Sequence, residues 1–211
     1  MADIEYRSGD SFVGTDVCLF VAGGFVAGGS YFIFSFDPMM KIVLIGAGNV
    51  ATHLGIALQK AGCLILQVYS RTEESASALA ARLSVDYTIV PDEIRRDADL
   101  YIVALKDAVL RQLAPVLVKG REQALFVHTA GSMSMDLWKG LVKRYGVLYP
   151  MQTFSKQREV DFNTVPFFIE ASAPAEVGVL RMVAVRLSAE ASLQKKSPAF
   201  PVYVNLMHTY G

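Results

Sequence analysis

The chain has 211 residues, enough for one domain or for one domain and part of another, and 53% of them are apolar, a share compatible with a globular core. Lys plus Arg equals Asp plus Glu, 20 of each, so no basic excess marks a nucleic-acid binder. The two cysteines, Cys18 and Cys63, have neither metal-ligand spacing nor a disulfide framework, and a reducing, cytoplasmic location suits them.

In chain order, the first 39 residues stand apart. Residues 1–16 carry four acids (Asp3, Glu5, Asp10 and Asp16), whereas residues 17–36 carry no charge. Twenty uncharged residues are long enough for a bilayer. The acidic flank is wrong for a signal peptide, and four glycines dilute the apolar run. The segment 1–39 reads as an apolar extension outside the fold, or as sequence upstream of a true start; a membrane-associated stretch over 17–36 is the alternative. A compact protein is expected to begin at Met40.

From Met40 the pattern alternates. Lys41–Ile45 is a nearly all-apolar run, as a strand buried on both faces requires. Residues 49–61 predict a helix ended by Gly62. A strand over 64–69 follows, then an Ala-rich helix over 73–83, a short strand over 87–90 and a small helix from Pro91 to Arg96. A buried strand over 99–105 leads to a helix over 108–118, about which Pro115 raises a reservation. Next come a strand over 124–128, a helix over 134–144 and a strand over 146–149. Strand–helix alternation with short connections implies parallel strands and right-handed crossovers. The expected fold class is α/β, a doubly wound parallel Rossmann-type sheet, over residues 40–170.

The first strand runs into Gly46-Ala47-Gly48-Asn49-Val50-Ala51, which fits G-x-G-x-x-A between a strand and a helix. The first glycine suits a tight turn, the second a close backbone approach to a pyrophosphate, and the alanine close helix packing. Free N–H groups and the dipole at the helix start favour phosphates. A tight turn with nothing bound is the structural alternative.

The end of the second strand discriminates between dinucleotides. An NAD binder places Asp or Glu there for the ribose hydroxyls; this chain has Ser70, Arg71 and Thr72. An arginine fork clasps a 2′-phosphate that a carboxylate would repel, so NADP is favoured over NAD. Against this, Glu73 and Glu74 follow directly, and Ser70 with Glu73 also makes an S-x-x-E capping box.

Two further strand ends supply candidates, since ligands of open α/β sheets sit beyond the carboxyl ends of strands. One brings Ala104, Leu105, Lys106 and Asp107, the other His128, Thr129, Ala130, Gly131 and Ser132. No catalytic residue is identified; His128 as a proton donor, Lys106 and Ser132 are the weak candidates. A histidine that merely bonds a nearby loop fits the spacing better. His53 lies on the first helix, outside the expected chemistry. No metal ligand set and no nucleophile elbow appear.

"MKIVLIGAGNVATHLGIALQKAG", "VYSRTEESA", "LYIVALKDAVL", "FVHTAGS" and "GVLYPMQTFS" together resemble a bacterial family that joins a Rossmann-like domain to a C-terminal domain of unknown function, numbered 2520. Its wider relatives are pyrroline-5-carboxylate reductase, the 6-phosphogluconate and β-hydroxyacid dehydrogenases and the deazaflavin-dependent NADP reductases. The resemblance implies an NADP-dependent oxidoreductase that transfers a hydride between nicotinamide and a small carbonyl or imine. It places Gly46, Gly48, Asn49 and Val50 along the pyrophosphate, and Ser70, Arg71 and Thr72 at the adenosine end. Ala104, Leu105 and Lys106, with Thr129, Ala130 and Gly131, would lie near ribose and nicotinamide. Where that family has a histidine before the last motif's proline, this chain has Tyr149.

Relatives of that family continue into an all-helical domain that completes the substrate pocket and forms a homodimer. Here "PFFIEAS" reads as a strand and residues 175–187 as a helix opened by Pro174. The remainder shows no helical period, so residues 171–211 read as a partial C-terminal domain whose helix keeps an uncovered apolar face. Two other functions stand beside the enzyme: a non-catalytic NADP(H) sensor, and a fragment that keeps only nucleotide affinity. The expected partner is a small-molecule substrate, not a nucleic acid or a membrane.

Overall fold

In a computed structural model the chain is described over residues 39–155, 158–194 and 203–204; the apolar run at 17–36, and the proposal about its origin, lie outside these residues. Lys41–Ile45 forms β1, with Ile42 and Leu44 on one face and Val43 and Ile45 on the other, all fully buried. That two-sided burial is why the run is continuously apolar rather than alternating. The same division recurs in β4 (Leu100–Val103), where Leu100 and Ile102 oppose Tyr101 and Val103, and in β5 (Leu125–His128).

The helices α1 (Asn49–Lys60) and α2 (Glu73–Leu83) cover one face, and α3 (Asp107–Val118) covers the other. With β2 (Leu64–Tyr69), β3 (Asp86–Thr88), β6 (Arg144–Pro150), β7 (Phe167–Ala171) and the two-residue β8 (Tyr203–Val204), the strand order is β3-β2-β1-β4-β5-β6-β7-β8. Pairing is parallel from β3 to β6. The order reverses between β1 and β4, which opens a crevice at their carboxyl ends. The doubly wound α/β sheet read from the sequence is therefore the observed one.

Several details differ from the expected elements. The strand after α2 ends at Thr88 rather than residue 90, and the following helix is only a 3-10 turn, Pro91–Glu93. The helix expected over 134–144 is a single 3-10 turn, Met135–Trp138. Gly140, at φ +81°, cannot continue a right-handed helix, and Arg144 already pairs with Leu125 as the start of β6. The strand β7 runs antiparallel to β6; the described residues of the link between them form a 3-10 turn, Phe162–Thr164, and no crossover helix. Pro115 does not end α3, since it and Arg111 lie on the exposed side, where the carbonyl without an intrahelical partner can be solvated.

The last helix, α4 (Pro174–Gln194), is longer than residues 175–187. Its face is not left uncovered: Leu180, Val183, Ala184 and Leu187 are fully buried in the core shared with α1 and β1, at the i, i+3, i+4, i+7 spacing of a packed helix. An ion pair from Arg144 Nε to Glu176 Oε1 (2.9 Å) ties its first turn to β6.

At the opposite, amino end of the sheet, Arg121 is 4% exposed. Its guanidinium donates to the carbonyls of Leu117, Lys119, Pro91, Ile94 and Arg95. One side chain so joins the end of α3 to the loop before β4.

Candidate functional site

The turn from β1 into α1 is set by two opposed glycines. Gly46 has φ +115°, and a β-carbon there would collide with the Ala104 carbonyl. Its N–H donates to the Tyr69 carbonyl (2.7 Å), while the Ala104 N–H donates to the Ile45 carbonyl (2.7 Å). The loop is thereby seated between the ends of β2 and β4. Gly48, the N-cap of α1, is exposed with nothing within 4 Å of a β-carbon position. One glycine meets protein backbone; the other faces room for a ligand. The Thr52 N–H closes the first turn onto the Gly48 carbonyl (3.0 Å), and Ala51 is buried against the strand.

Asn49 is exposed, but its side-chain amide donates to the Phe154 carbonyl (2.8 Å). Its backbone N–H, not that amide, is the group left at the helix start. Val50 is half-buried on the core. One turn on, His53 Nε2 lies 2.8 Å from the Ser155 carbonyl and its ring 5.6 Å from that of Phe154. A carbonyl only accepts, so Nε2 carries the proton.

At the end of β2, Ser70 is buried, and its N–H donates to the Thr88 carbonyl (3.3 Å). Arg71 and Thr72 are exposed, and Arg71 has no ion pair among the described residues. The N-cap of α2 is Thr72, not Ser70, and no side chain caps it, so the S-x-x-E box does not form. Glu73 instead accepts a hydrogen bond from the Tyr87 hydroxyl (3.2 Å).

The ends of β4 and β5 meet across a side-chain bridge. Lys106 is the exposed N-cap of α3, and Asp107, its first residue, accepts a 2.5 Å hydrogen bond from the Ser132 hydroxyl. Ala104 and Leu105 are half-buried, and the Thr129 N–H bonds the Val103 carbonyl (3.2 Å). His128 is fully buried: Nδ1 accepts from the Ala130 N–H (3.3 Å), which leaves Nε2 to donate to the Ser134 carbonyl (3.4 Å). Burial lowers its pKa from the ordinary histidine value. With both nitrogens engaged, the ring holds the 128–134 turn instead of facing the crevice, so it is not placed to act as the proton donor considered from the sequence. Gly131 is exposed, and a β-carbon on it would lie 2.6 Å from the Tyr149 ring. Tyr149 therefore stands beside the β5 loop from the end of β6, a neighbour that the sequence marked only as a departure from a histidine.

Three connections escaped the sequence: Asn49 and His53 to the segment after β6, Ser132 to Asp107, and Tyr149 to Gly131. Each joins residues that local pattern cannot pair. Among the described residues no His, Cys, Asp or Glu cluster could hold a metal. No helix there is long and apolar enough to cross a membrane.

Residues 41–132, from β1 to the residue that bridges to Asp107, match the family described as NADP oxidoreductase, coenzyme F420-dependent. This is a Rossmann-like NAD(P)-binding domain. The chain is 50% identical to a Bacteroides fragilis protein provisionally named an NADP oxidoreductase, with a TM-score of 0.69 over 74% of this chain and 64% of that one. The Synechocystis arogenate dehydrogenase has a similar fold, with a TM-score of 0.62 at 17% identity over 79% of this chain and 59% of that one. So has the pyrroline-5-carboxylate reductase of Streptococcus pyogenes, with a TM-score of 0.55 at 16% identity over 72% and 57%. The chain spans less than two thirds of the length of each of these proteins. No curated protein sequence matches it.

Proposed function

We propose that this Rossmann-like domain is the cofactor half of an NADP-dependent oxidoreductase that transfers a hydride between nicotinamide and a small carbonyl or imine. The observation that carries the reading is the pair of glycines at the β1–α1 turn, Gly46 locked against Ala104 and Gly48 open to solvent beside free helix N–H groups. A pyrophosphate fits that arrangement sterically and electrostatically. Gly46, Gly48, Asn49 and Val50 hold the pyrophosphate through backbone. Arg71, exposed and without an ion pair among the described residues, clasps the 2′-phosphate beside Ser70 and Thr72. Glu73 bonds Tyr87 and so leaves that place to the arginine. Ala104, Leu105 and Lys106, with Thr129, Ala130 and Gly131, border the ribose and nicotinamide half. When bound, the cofactor supplies the hydride chemistry, and the protein supplies orientation and a shaped site.

A second reading, an NADP(H)-binding module without turnover, draws support from the enclosed His128, which leaves the β5 end without an accessible imidazole. In the oxidoreductase reading, a helical C-terminal domain of the family numbered 2520 completes the substrate pocket and forms a homodimer, and the protein is cytoplasmic. Titration of the chain with NADPH and NADH at equal salt tests the proposal. Tighter NADPH binding is expected; no binding of either by folded protein overturns it. Oxidation of NADPH by any of a panel of 2-oxo acids and cyclic imines excludes the sensor.

A further inference from the structure

We propose that residues 151–155, the segment after β6, form the outer wall of the groove for the pyrophosphate and nicotinamide, and that Asn49 and His53 position it there; this rests on the nucleotide-binding reading above. The strand β6 stands three places from β1 in the sheet, roughly 14 Å at the usual strand spacing. The stretch from Pro150 to Ser155 reaches at most about 17 Å when extended. Yet Phe154 and Ser155 are bonded to Asn49 and His53, in the first two turns of α1, the helix that follows β1. With so little slack, the segment runs close to the carboxyl rim, past the ends of β5 and β4.

Both ends of the segment are fixed. At its root, the Met151 N–H donates to the Pro166 carbonyl (2.9 Å) and the Gln152 N–H to the Pro150 carbonyl (2.8 Å). At its far end, Phe154 is buried, 5.6 Å from the His53 ring and 6.1 Å from that of Phe162. Between them Met151, Gln152 and Thr153 remain exposed. An apolar anchor with two side-chain clasps thus presents an amide and a hydroxyl at the rim that holds the glycine loop. Asn49 and His53 act through the segment and are positioning residues.

Hydrogen exchange of the full chain with and without NADPH tests this, with NADPH affinity measured on the same sample. NADPH should slow exchange of the 151–155 amides as well as those of the glycine loop. A protein that binds NADPH but leaves 151–155 unchanged overturns this inference and spares the nucleotide-binding reading; a protein that binds no NADPH overturns both. His53→Phe keeps an aromatic ring against Phe154 and removes the donor, and should weaken NADPH binding about three- to ten-fold. His53→Gln restores an N–H near Nε2 and should bind within about two-fold of the parent. Equal loss in both variants, or none in His53→Phe, overturns the positioning role. If His53→Phe does not fold, the exchange result on the parent chain decides.

Discussion

The two halves of the sheet's carboxyl rim are built on opposite terms. Around β1 and β2, backbone does the shaping and side chains are left open: Gly48 faces empty space and Arg71 is exposed. Around β5 and β6, side chains close on one another. His128 is buried with both nitrogens engaged, Ser132 bridges to Asp107, and Tyr149 fills the space beside Gly131. The open half is written in a short local motif, whereas the closed half is assembled from residues far apart in the chain.

The comparison can be broken most sharply at its first glycine. Gly46→Ala places a β-carbon against the Ala104 carbonyl at a backbone angle that L residues avoid, and should cost about 3 kcal/mol of stability, read as a lowered urea midpoint. Gly48→Ala meets nothing; it should cost less than about 1 kcal/mol of stability yet weaken NADPH binding. If both variants lose stability equally, the contrast between a packed and an open glycine is wrong.

Next in size is Arg71→Ala. It should reduce NADPH affinity by about 1.5–3 kcal/mol, the scale of hydrogen bonds to charged groups, and leave NADH almost unchanged. Equal weakening of both cofactors would remove Arg71 from the phosphate site.

On the closed half, His128 ties stability to pH. Its pKa is lowered in the folded state by burial, so the unfolded chain binds the proton more readily. Its contribution is fully present above the unfolded value of about 6.5 and is lost as pH falls below that value, by up to about 1.4 kcal/mol per pH unit. Denaturation midpoints across this range should show that slope, and His128→Gln should flatten it. The smallest effect belongs to Ser132→Ala, which removes one exposed hydrogen bond to Asp107 and should cost under about 1 kcal/mol.

Sequence legibility follows the same division. Lys41–Ile45, Leu64–Tyr69 and Glu73–Leu83 have the bounds read from apolar runs and from the alanine-rich pattern; in the first, burial on both faces leaves a nearly unbroken apolar signature. The helix expected over 134–144 failed because its apolar spacing comes from Trp138 and Val142, which are buried beneath a turn rather than along a helix. The capping box at Ser70 failed because β2 pairing carries Ser70 onto Thr88 and moves the cap to Thr72. The link from His53 to Ser155 spans a hundred residues, and no local period encodes it.

The buried Arg121 gives the opposite end of the molecule a different character. A single charged group draws five carbonyls from two neighbouring stretches of chain onto itself. Among the described residues it takes no carboxylate as partner, so its charge is balanced by carbonyl dipoles, including those at the end of α3. Only a planar fork with five N–H groups can serve so many acceptors at once, and lysine, with three donors, would leave at least two of them stranded. One rim of the sheet is thus fastened by a rivet that admits no near substitute. The far rim, which carries the glycine loop and the bridge from Ser132 to Asp107, rests on a frame fastened from the other end.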